Sequence, residues 1–179
     1  MKTLKNHICE ALKIGKDISN WSTYTYTCQP TTKKELDQII SNRIREQGAD
    51  CDLNDIDVSL ITDMSHLFYF SKFVGDISCW DVSNVTDMES MFGDSQFNGD
   101  ISNWNVSKVK DFSAMFTDSK FNQPIGDWDV SSATTMFGMF SHSKFDQDIS
   151  NWNIGDKCTT AFIFARCPIR VKFKPKLPK

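Results

Sequence analysis

The sequence predicts an α/β solenoid, a stack of five 24-residue turns that each hold a short strand and a short helix. Three observations lead to this prediction. Aromatic and aliphatic residues recur every 24 positions, the spacing of apolar residues changes within each period, and polar residues separate the two patterns. A repeat of this length is typical of proteins in which each unit packs only against its two neighbours.

The repeat occupies residues 49–168 in five windows without an insertion. Because phenylalanine makes up only 14 of the 179 residues, a phenylalanine in the same place in all five windows is not a coincidence. The clearest columns are Phe68, Phe92, Phe116, Phe140 and Phe164; Trp80, Trp104, Trp128 and Trp152; Phe73, Phe97, Phe121 and Phe145; and Ile77, Ile101, Ile125 and Ile149.

Two kinds of apolar spacing follow each other within one period. Residues 77–82 end in an alternation of apolar and polar side chains, which predicts a short strand. The apolar residues of 85–92 then recur at intervals of three and four, which places them on one face of a short helix. Ser83 or Thr86 can cap the start of that helix, and Gly93 or Asp94 can end it.

The strand pattern Ile-x-x-Trp-x-Val has the spacing of the L-x-x-L-x-L strand of leucine-rich repeats. The longer phrases DISCWDVSNVTDMESMF, DISNWNVSKVKDFSAMF and DWDVSSATTMFGMF resemble BspA-like leucine-rich-repeat surface proteins, including the mycoplasma lipoproteins with W-D-V-S-N-V-T-D-M-x-x-M-F repeats. The resemblance covers residues 51–165. It implies a leucine-rich-repeat-like solenoid and a non-enzymatic surface or adhesion role, although the sequence shows no lipobox and no signal peptide.

We expect three regions: an N-terminal capping region of residues 1–48, the five-turn solenoid of residues 49–168, and a basic C-terminal cap of residues 169–179. Thr32 and Glu35 form a capping-box pattern for a helix over about residues 33–47, which Gly48 ends. We interpret this helix as a lid on the solenoid; the alternative is an amphipathic helix that binds a partner.

Shorter elements are expected outside this helix. Residues 3–14 are expected to form a further short helix, and residues 24–26 a strand. The C-terminal segment 170–179 alternates apolar and basic residues and is expected to pair as a last edge strand. Its lysines and prolines would then protect the edge of the sheet from aggregation.

The charge is distributed unevenly along the chain. The net charge is −3, but the residues from Arg166 onward contribute six basic and no acidic side chains, so residues 1–165 carry 14 basic against 23 acidic groups, or −9. An acidic body argues against direct binding of nucleic acid. No apolar run is long enough to span a membrane, and the start has no secretory core, so we expect a cytoplasmic protein without membrane insertion.

These observations predict a non-enzymatic module that presents an acidic and polar strand face to a protein partner with a basic surface, in an adhesion-type or inhibitor-type interaction. No cofactor is expected, and the protein is expected to be a monomer or a weak oligomer. The binding face consists of the side chains that alternate with the inward-facing ones: Asp57, Ser59, Asp81, Ser83, Asn105, Ser107, Asp129, Ser131 and Asn153.

Other interpretations of the same residues remain open. The acidic columns could bind calcium, but the nonapeptide signature is absent, and Asp and Asn in turns ordinarily bond their own backbone. The tryptophan column could stack against carbohydrate if it were exposed, although core stacking is the simpler interpretation. The alternative function is a hydrolase with an acidic cleft between lid and solenoid, which would use carboxylates such as Glu35, Asp52 or Asp55.

Overall fold

The computed structural model describes residues 26–178. In that range it contains one α-helix, α1, over Lys33–Gln47, and one 3-10 helix over Val171–Phe173. The same residues form no continuous strand, and isolated parallel bridges join neighbouring segments instead. The elements expected at residues 3–14 and 24–25 lie outside the described residues. Among residues 26–178, no helix has the length and apolar character needed to cross a membrane.

Each 24-residue window forms one coil of backbone, called a rung below, and the five rungs stack along one direction. Rungs 1 to 5 are residues 49–72, 73–96, 97–120, 121–144 and 145–168. Parallel bridges between residues 24 positions apart hold neighbouring rungs together: Asp52 with Asp76, Asp63 with Asp87, Asp87 with Asp111, Asp111 with Thr135, and Thr135 with Thr159. The 24-residue period is therefore the chain length between hydrogen-bonded neighbours.

The expected α/β solenoid of leucine-rich-repeat type is wrong, because the described rungs contain neither the strand nor the helix. The strand expected at residues 77–82 is broken by turns. The Trp80 N–H donates to the carbonyl of Ile77 at 3.1 Å, and the Val85 N–H donates to the carbonyl of Val82 at 2.9 Å. A chain that turns twice within nine residues cannot run extended, even though its side chains alternate between inside and outside.

The helix expected at residues 85–92 is replaced by consecutive turns. Ser90 and Asp94 have φ angles of 53° and 52°, which a right-handed helix does not allow. The hydrogen bonds within the rung span three residues, as from the Met91 N–H to the carbonyl of Met88 at 3.2 Å. The N–H groups of Met88 and Ser90 donate to rung 3 instead, and most backbone N–H groups of residues 85–92 donate to a neighbouring rung.

A polar side chain fixes most corners of a rung. Its oxygen accepts a hydrogen bond from the backbone N–H two residues later, an arrangement that bends the chain locally. Rung 1 has four such corners, with acceptor distances of 2.8 to 3.0 Å, at Asp52, Asp57, Asp63 and Ser71. The recurrent Asp, Asn and Ser columns of the sequence are thus explained by the bends of the backbone.

The interior of the stack is filled by aromatic columns. Along the column that begins at Phe68, successive ring centroids lie 5.5 to 5.9 Å apart and the rings are nearly parallel. Each indole N–H of the column that begins at Trp80 donates to a carbonyl in the preceding rung at 2.9 to 3.2 Å, and these tryptophans are only 4% exposed. The inward orientation expected for the tryptophans is confirmed, which leaves no aromatic platform for carbohydrate in this column.

Helix α1 covers the N-terminal end of the stack. Thr32 and Glu35 form the capping box, and the helix ends at Gly48, whose φ of 100° favours glycine. Leu36 and Ile40 are buried in the common core, and the Arg43 guanidinium pairs with Asp55 of rung 1 at 2.6 Å. These contacts support the interpretation of the helix as a lid, because its apolar face is already packed.

The C-terminal segment does not form the expected edge strand. Residues Val171–Phe173 make one turn of 3-10 helix, and Val171 is 84% exposed. The carbonyl of Phe173 accepts from the Ile149 N–H at 3.0 Å, and the Arg170 side chain pairs with Asp146 at 3.0 Å. The C-terminal segment therefore contacts the first part of rung 5. Its described residues make no backbone hydrogen bond to the turns of residues 159–167.

Candidate functional site

The structure places all nine predicted face residues at the surface, with partial or full exposure. They form two adjacent columns, one at the corner position and one two residues later, because rungs 1 to 4 each contribute the same pair and rung 5 contributes Asn153. They are Asp57, Ser59, Asp81, Ser83, Asn105, Ser107, Asp129, Ser131 and Asn153. We call these residues the polar face. It differs from the prediction in its backbone, since it consists of corners and not of strands.

Four of the five acidic or amide side chains of the polar face use one oxygen to hold their own corner: Asp57, Asp81, Asn105 and Asp129. The Asp81 carboxylate accepts from the Ser83 N–H at 3.1 Å, and the Asp129 carboxylate accepts from the Ser131 N–H at 3.1 Å. The Ser131 hydroxyl donates to the same Asp129 oxygen at 2.6 Å. The second carboxylate oxygens of Asp81 and Asp129 have no partner among the described residues, so they are free to accept a hydrogen bond from a ligand.

An open groove of about 270 Å³ lies in the polar face between rungs 3 and 4. Its polar lining includes Asn105 and Asp129, which the sequence predicts, and Asn103 and Asp127, which sequence reasoning missed. The sequence does contain a signal for Asn103 and Asp127. Each directly precedes a buried tryptophan and must therefore point outward. The groove presents two carboxylates and two amides, a set of groups that accepts hydrogen bonds from a cationic ligand.

Hydrogen bonds at the corners lower the pKa of several carboxyl groups. The Ser131 hydroxyl and then the Ser131 N–H, both donating to Asp129, lower the pKa of that carboxyl. Burial raises the pKa of Asp63, but hydrogen bonds from the Ser65 hydroxyl and N–H, together with the charge of Lys33, outweigh it and leave the pKa lowered. The ionised form is favoured in each case because only the carboxylate accepts all of these bonds.

Comparison with known protein families finds one family whose profile matches this chain. The profile of a family described as Mycoplasma protein of unknown function, DUF285, matches residues 34–152 and 117–169, which together are more than half of the chain. The chain belongs to the DUF285 family. BspA-like surface proteins are in this family, so the resemblance to them is supported at the level of DUF285. No curated protein and no solved structure matches the chain.

The junction between α1 and rung 1 holds the carboxylates of the alternative hydrolase prediction. Glu35 belongs to the capping box, where the Thr31 N–H lowers its pKa most. Asp52 accepts from the N–H and the side-chain amide of Asn54, both at 2.8 Å. Burial raises the pKa of Asp55, but the Arg43 guanidinium and the Thr27 hydroxyl outweigh it and lower the pKa. Each group has a structural partner, and the enzymatic alternative stays an untested prediction.

The described part of this DUF285 chain has no grouped metal ligands, and its cysteines are free thiols. Among residues 26–178, no three His, Cys, Asp or Glu side chains are grouped so that they could hold a metal ion. The cysteines in that range are free thiols: Cys28, Cys51, Cys79, Cys158 and Cys167. Burial raises the pKa of the Cys51 and Cys158 thiols, which disfavours the reactive thiolate form.

We expect the free energy of unfolding to decrease as the pH falls below the ordinary pKa of aspartate, about 3.9. Asp63 and Asp129 have pKa values below the ordinary one in the folded chain, so their stabilising contribution is complete above that pH and is lost as the pH falls through the lowered values. Urea unfolding at pH 6, 4 and 3 measures this dependence. Asp129→Asn should make it shallower, and a stability that is equal at pH 6 and pH 3 would contradict the assignment.

Proposed function

We propose that this DUF285 protein is a non-enzymatic protein-binding module whose polar face binds a basic surface of a macromolecular partner. The groove between rungs 3 and 4 carries this proposal, because Asp127 and Asp129 lie beside Asn103 and Asn105 in an open concave surface. Lysine and arginine side chains are the natural donors to such a set of oxygens. The net charge of −9 over residues 1–165 would also speed the approach of a basic partner.

The corner bonds support a binding role for the polar face. The side chains of Asp81, Asn105 and Asp129 are each held by a hydrogen bond to the backbone two residues later. Groups that are already fixed lose little conformational freedom on binding, so more of the interaction energy appears as affinity. The resemblance to BspA-like proteins implies an adhesion-type role at a cell surface, whereas the sequence itself predicts a cytoplasmic location.

The triple variant Asp57→Asn, Asp81→Asn and Asp129→Asn should lower affinity for the partner by tenfold or more, while the melting temperature falls only slightly through the weaker corner bond at residue 129. Asparagine already occupies the same corner at Asn105, where it accepts the same backbone hydrogen bond, so the change removes charge and keeps the corner. The full chain serves as bait in a pull-down from its host. The captured protein is then purified, and its affinity for both chains is measured by calorimetry.

The control variant removes the same charge elsewhere: Asp87→Asn, Asp94→Asn and Asp111→Asn. Asp87 and Asp111 hold another corner of the rung, and Asp94 lies on the turns, so none belongs to the polar face. If both triple variants weaken binding equally, net charge and not the polar face determines affinity. If neither does, the polar face is not the binding site.

A further inference from the structure

The last rung exposes a row of backbone N–H groups that every other rung uses. In rungs 1 to 4, four alternate residues donate to the carbonyls of the next rung at 2.8 to 3.0 Å. In rung 4 the donors are Met136, Gly138, Phe140 and His142. The corresponding N–H groups of rung 5 have no partner among the described residues 26–178, and they belong to Thr160, Phe162, Phe164 and Arg166. We call this row the open edge.

Three of the four carbonyls of the open edge are already in use, so the row presents mainly donors. The carbonyls of Thr160, Phe162 and Phe164 accept from N–H groups within rung 5 at 2.9 to 3.2 Å. The carbonyls between them accept from rung 4, at Thr159, Ala161, Ile163 and Ala165. Two copies of the same edge are poor partners for each other, because the four N–H groups of one copy would mostly face N–H groups of the other. The occupant must supply a row of acceptors, as the carbonyls of each rung do for the rung before it.

At the other end of the stack, the described structure does not offer an equivalent place for a second copy. Helix α1 packs over rung 1 there, with Leu36 and Ile40 in the core and with the Lys33 ammonium 2.5 Å from the Ser65 hydroxyl. A second copy would have to displace this helix to bring its carbonyls to the open edge. A flexible segment of another protein meets no such obstacle.

The surroundings of the open edge are basic and partly apolar. Arg166 belongs to the edge itself, and the Lys174 ammonium lies 5.3 Å from the ring centroid of Phe164, where the next ring of the column would stack. No acidic residue follows Asp156 in the sequence. Phe162 is 68% exposed. An occupant with carboxylates outside and apolar side chains inside would therefore meet complementary charge and would shield exposed aromatic surface.

We propose that the open edge binds a segment of an acidic partner protein, which follows the path of a rung and adds one more layer to the stack. Alternate carbonyls of the segment would accept from the four N–H groups of the open edge, and its apolar side chains would cover the exposed ring of Phe162. This is addition of a chain to an exposed edge, with backbone bonds for affinity and side chains for specificity. The edge is separate from the polar face, so the inference does not depend on the function proposed above.

Amide hydrogen exchange of the full chain tests whether the N–H groups of the open edge lack hydrogen-bond partners. The amides of Thr160, Phe162, Phe164 and Arg166 should exchange at least a hundredfold faster than those of Met136, Gly138, Phe140 and His142, which are the matched positions of rung 4. Equal protection of the two sets in the free chain would overturn the proposal. So would a concentration-dependent dimer in sedimentation whose formation protects the four edge amides.

Two synthetic peptides with the sequences of this chain's own rungs test the occupant. The peptide of residues 85–97 carries a net charge of −3, and the peptide of residues 109–121 has the same register and a net charge of zero. The acidic peptide should bind more tightly and should protect the four edge amides. Failure of the acidic peptide to protect them, or equal affinity of the two peptides, would overturn an acidic occupant.

Arg166→Asp tests the contribution of the positive charge at the open edge. Asp94 and Asp118 occupy the equivalent position in rungs 2 and 3 with φ angles of 52° and 51°, so aspartate suits this backbone. The variant should fold normally and bind the acidic peptide about two- to fivefold more weakly. Lys34→Glu makes the same change of charge on the exposed side of α1 and should leave peptide affinity unchanged. Equal weakening by both variants would show a general charge effect and would count against the open edge.

Discussion

Phe116→Ala is expected to lower the free energy of unfolding by about 3–5 kcal/mol, which is a large part of the stability of a chain of this size. Phe116 has no exposed surface and lies in the central rung. Its ring stacks on Phe92 at 5.7 Å, on Phe140 at 5.6 Å and on Phe121 at 4.1 Å. Truncation leaves a cavity that rungs on both sides prevent from closing. Urea unfolding followed by tryptophan fluorescence measures the loss.

Phe164→Ala is the matched comparison in rung 5 and should cost clearly less. Phe164 is half-buried, stacks on Phe140 at 5.9 Å, and has the Lys174 ammonium 5.3 Å from its ring centroid, with no further aromatic ring stacked beyond it in the described residues. The surrounding chain can relax more easily at this end of the stack. Equal losses for Phe116→Ala and Phe164→Ala would mean that the C-terminal segment contributes a substantial core of its own.

Gly75→Ala is expected to be the most damaging single methyl addition in the stack, with a loss of about 3 kcal/mol. A Cβ at Gly75 would lie 2.0 Å from the carbonyl oxygen of Cys51 in rung 1, which is backbone and cannot rotate away. The same carbonyl accepts the Asp76 N–H at 3.3 Å, so separation of the two rungs would also break the bridge between Asp52 and Asp76. Thermal and urea unfolding both measure this effect.

Gly155→Ala is the control for Gly75→Ala. A Cβ at Gly155 would approach no closer than 3.9 Å to the carbonyl of Ser131, and its φ is not in the left-handed region. Its effect on stability should therefore stay within about 1 kcal/mol and can be favourable, since alanine restricts the unfolded chain. Similar losses at both glycines would show that the close approach of rungs 1 and 2 does not limit stability.

The lid helix and the inward columns were predictable because their signals are local or strictly periodic. Thr32, Glu35 and Gly48 define α1 by caps that act within one turn of the chain. Trp104 and Phe116 are interior because the same large apolar residue returns at each 24-residue step, and such residues are buried wherever neighbouring units stack. The outward positions of the polar face followed from the same alternation, and the missed Asn103 and Asp127 obey it too.

The conformation of each rung was not predictable by the same means, because an apolar spacing of three and four residues has more than one structural origin. A helix satisfies its N–H groups internally, whereas Met88 and Ser90 donate theirs to rung 3 at 2.9 and 2.8 Å. These bonds exist only when another rung lies beside the segment, and they require the left-handed φ at Ser90 and Asp94. Propensity and periodicity do not describe partners that are distant in the sequence.

The sequence by itself determined which residues face the core, where α1 begins and ends, and the 24-residue chain length between neighbours. Only the tertiary structure decided that Asp81 and Asp129 hold corners, that the turns replace strand and helix, and that the N–H row from Thr160 to Arg166 has no partner among residues 26–178. The physical reason is the range of the interactions. Helix capping depends on residues within one turn, and side-chain burial follows the repeat of the sequence. The partner of each backbone hydrogen bond, in contrast, depends on which rung lies next to that part of the chain.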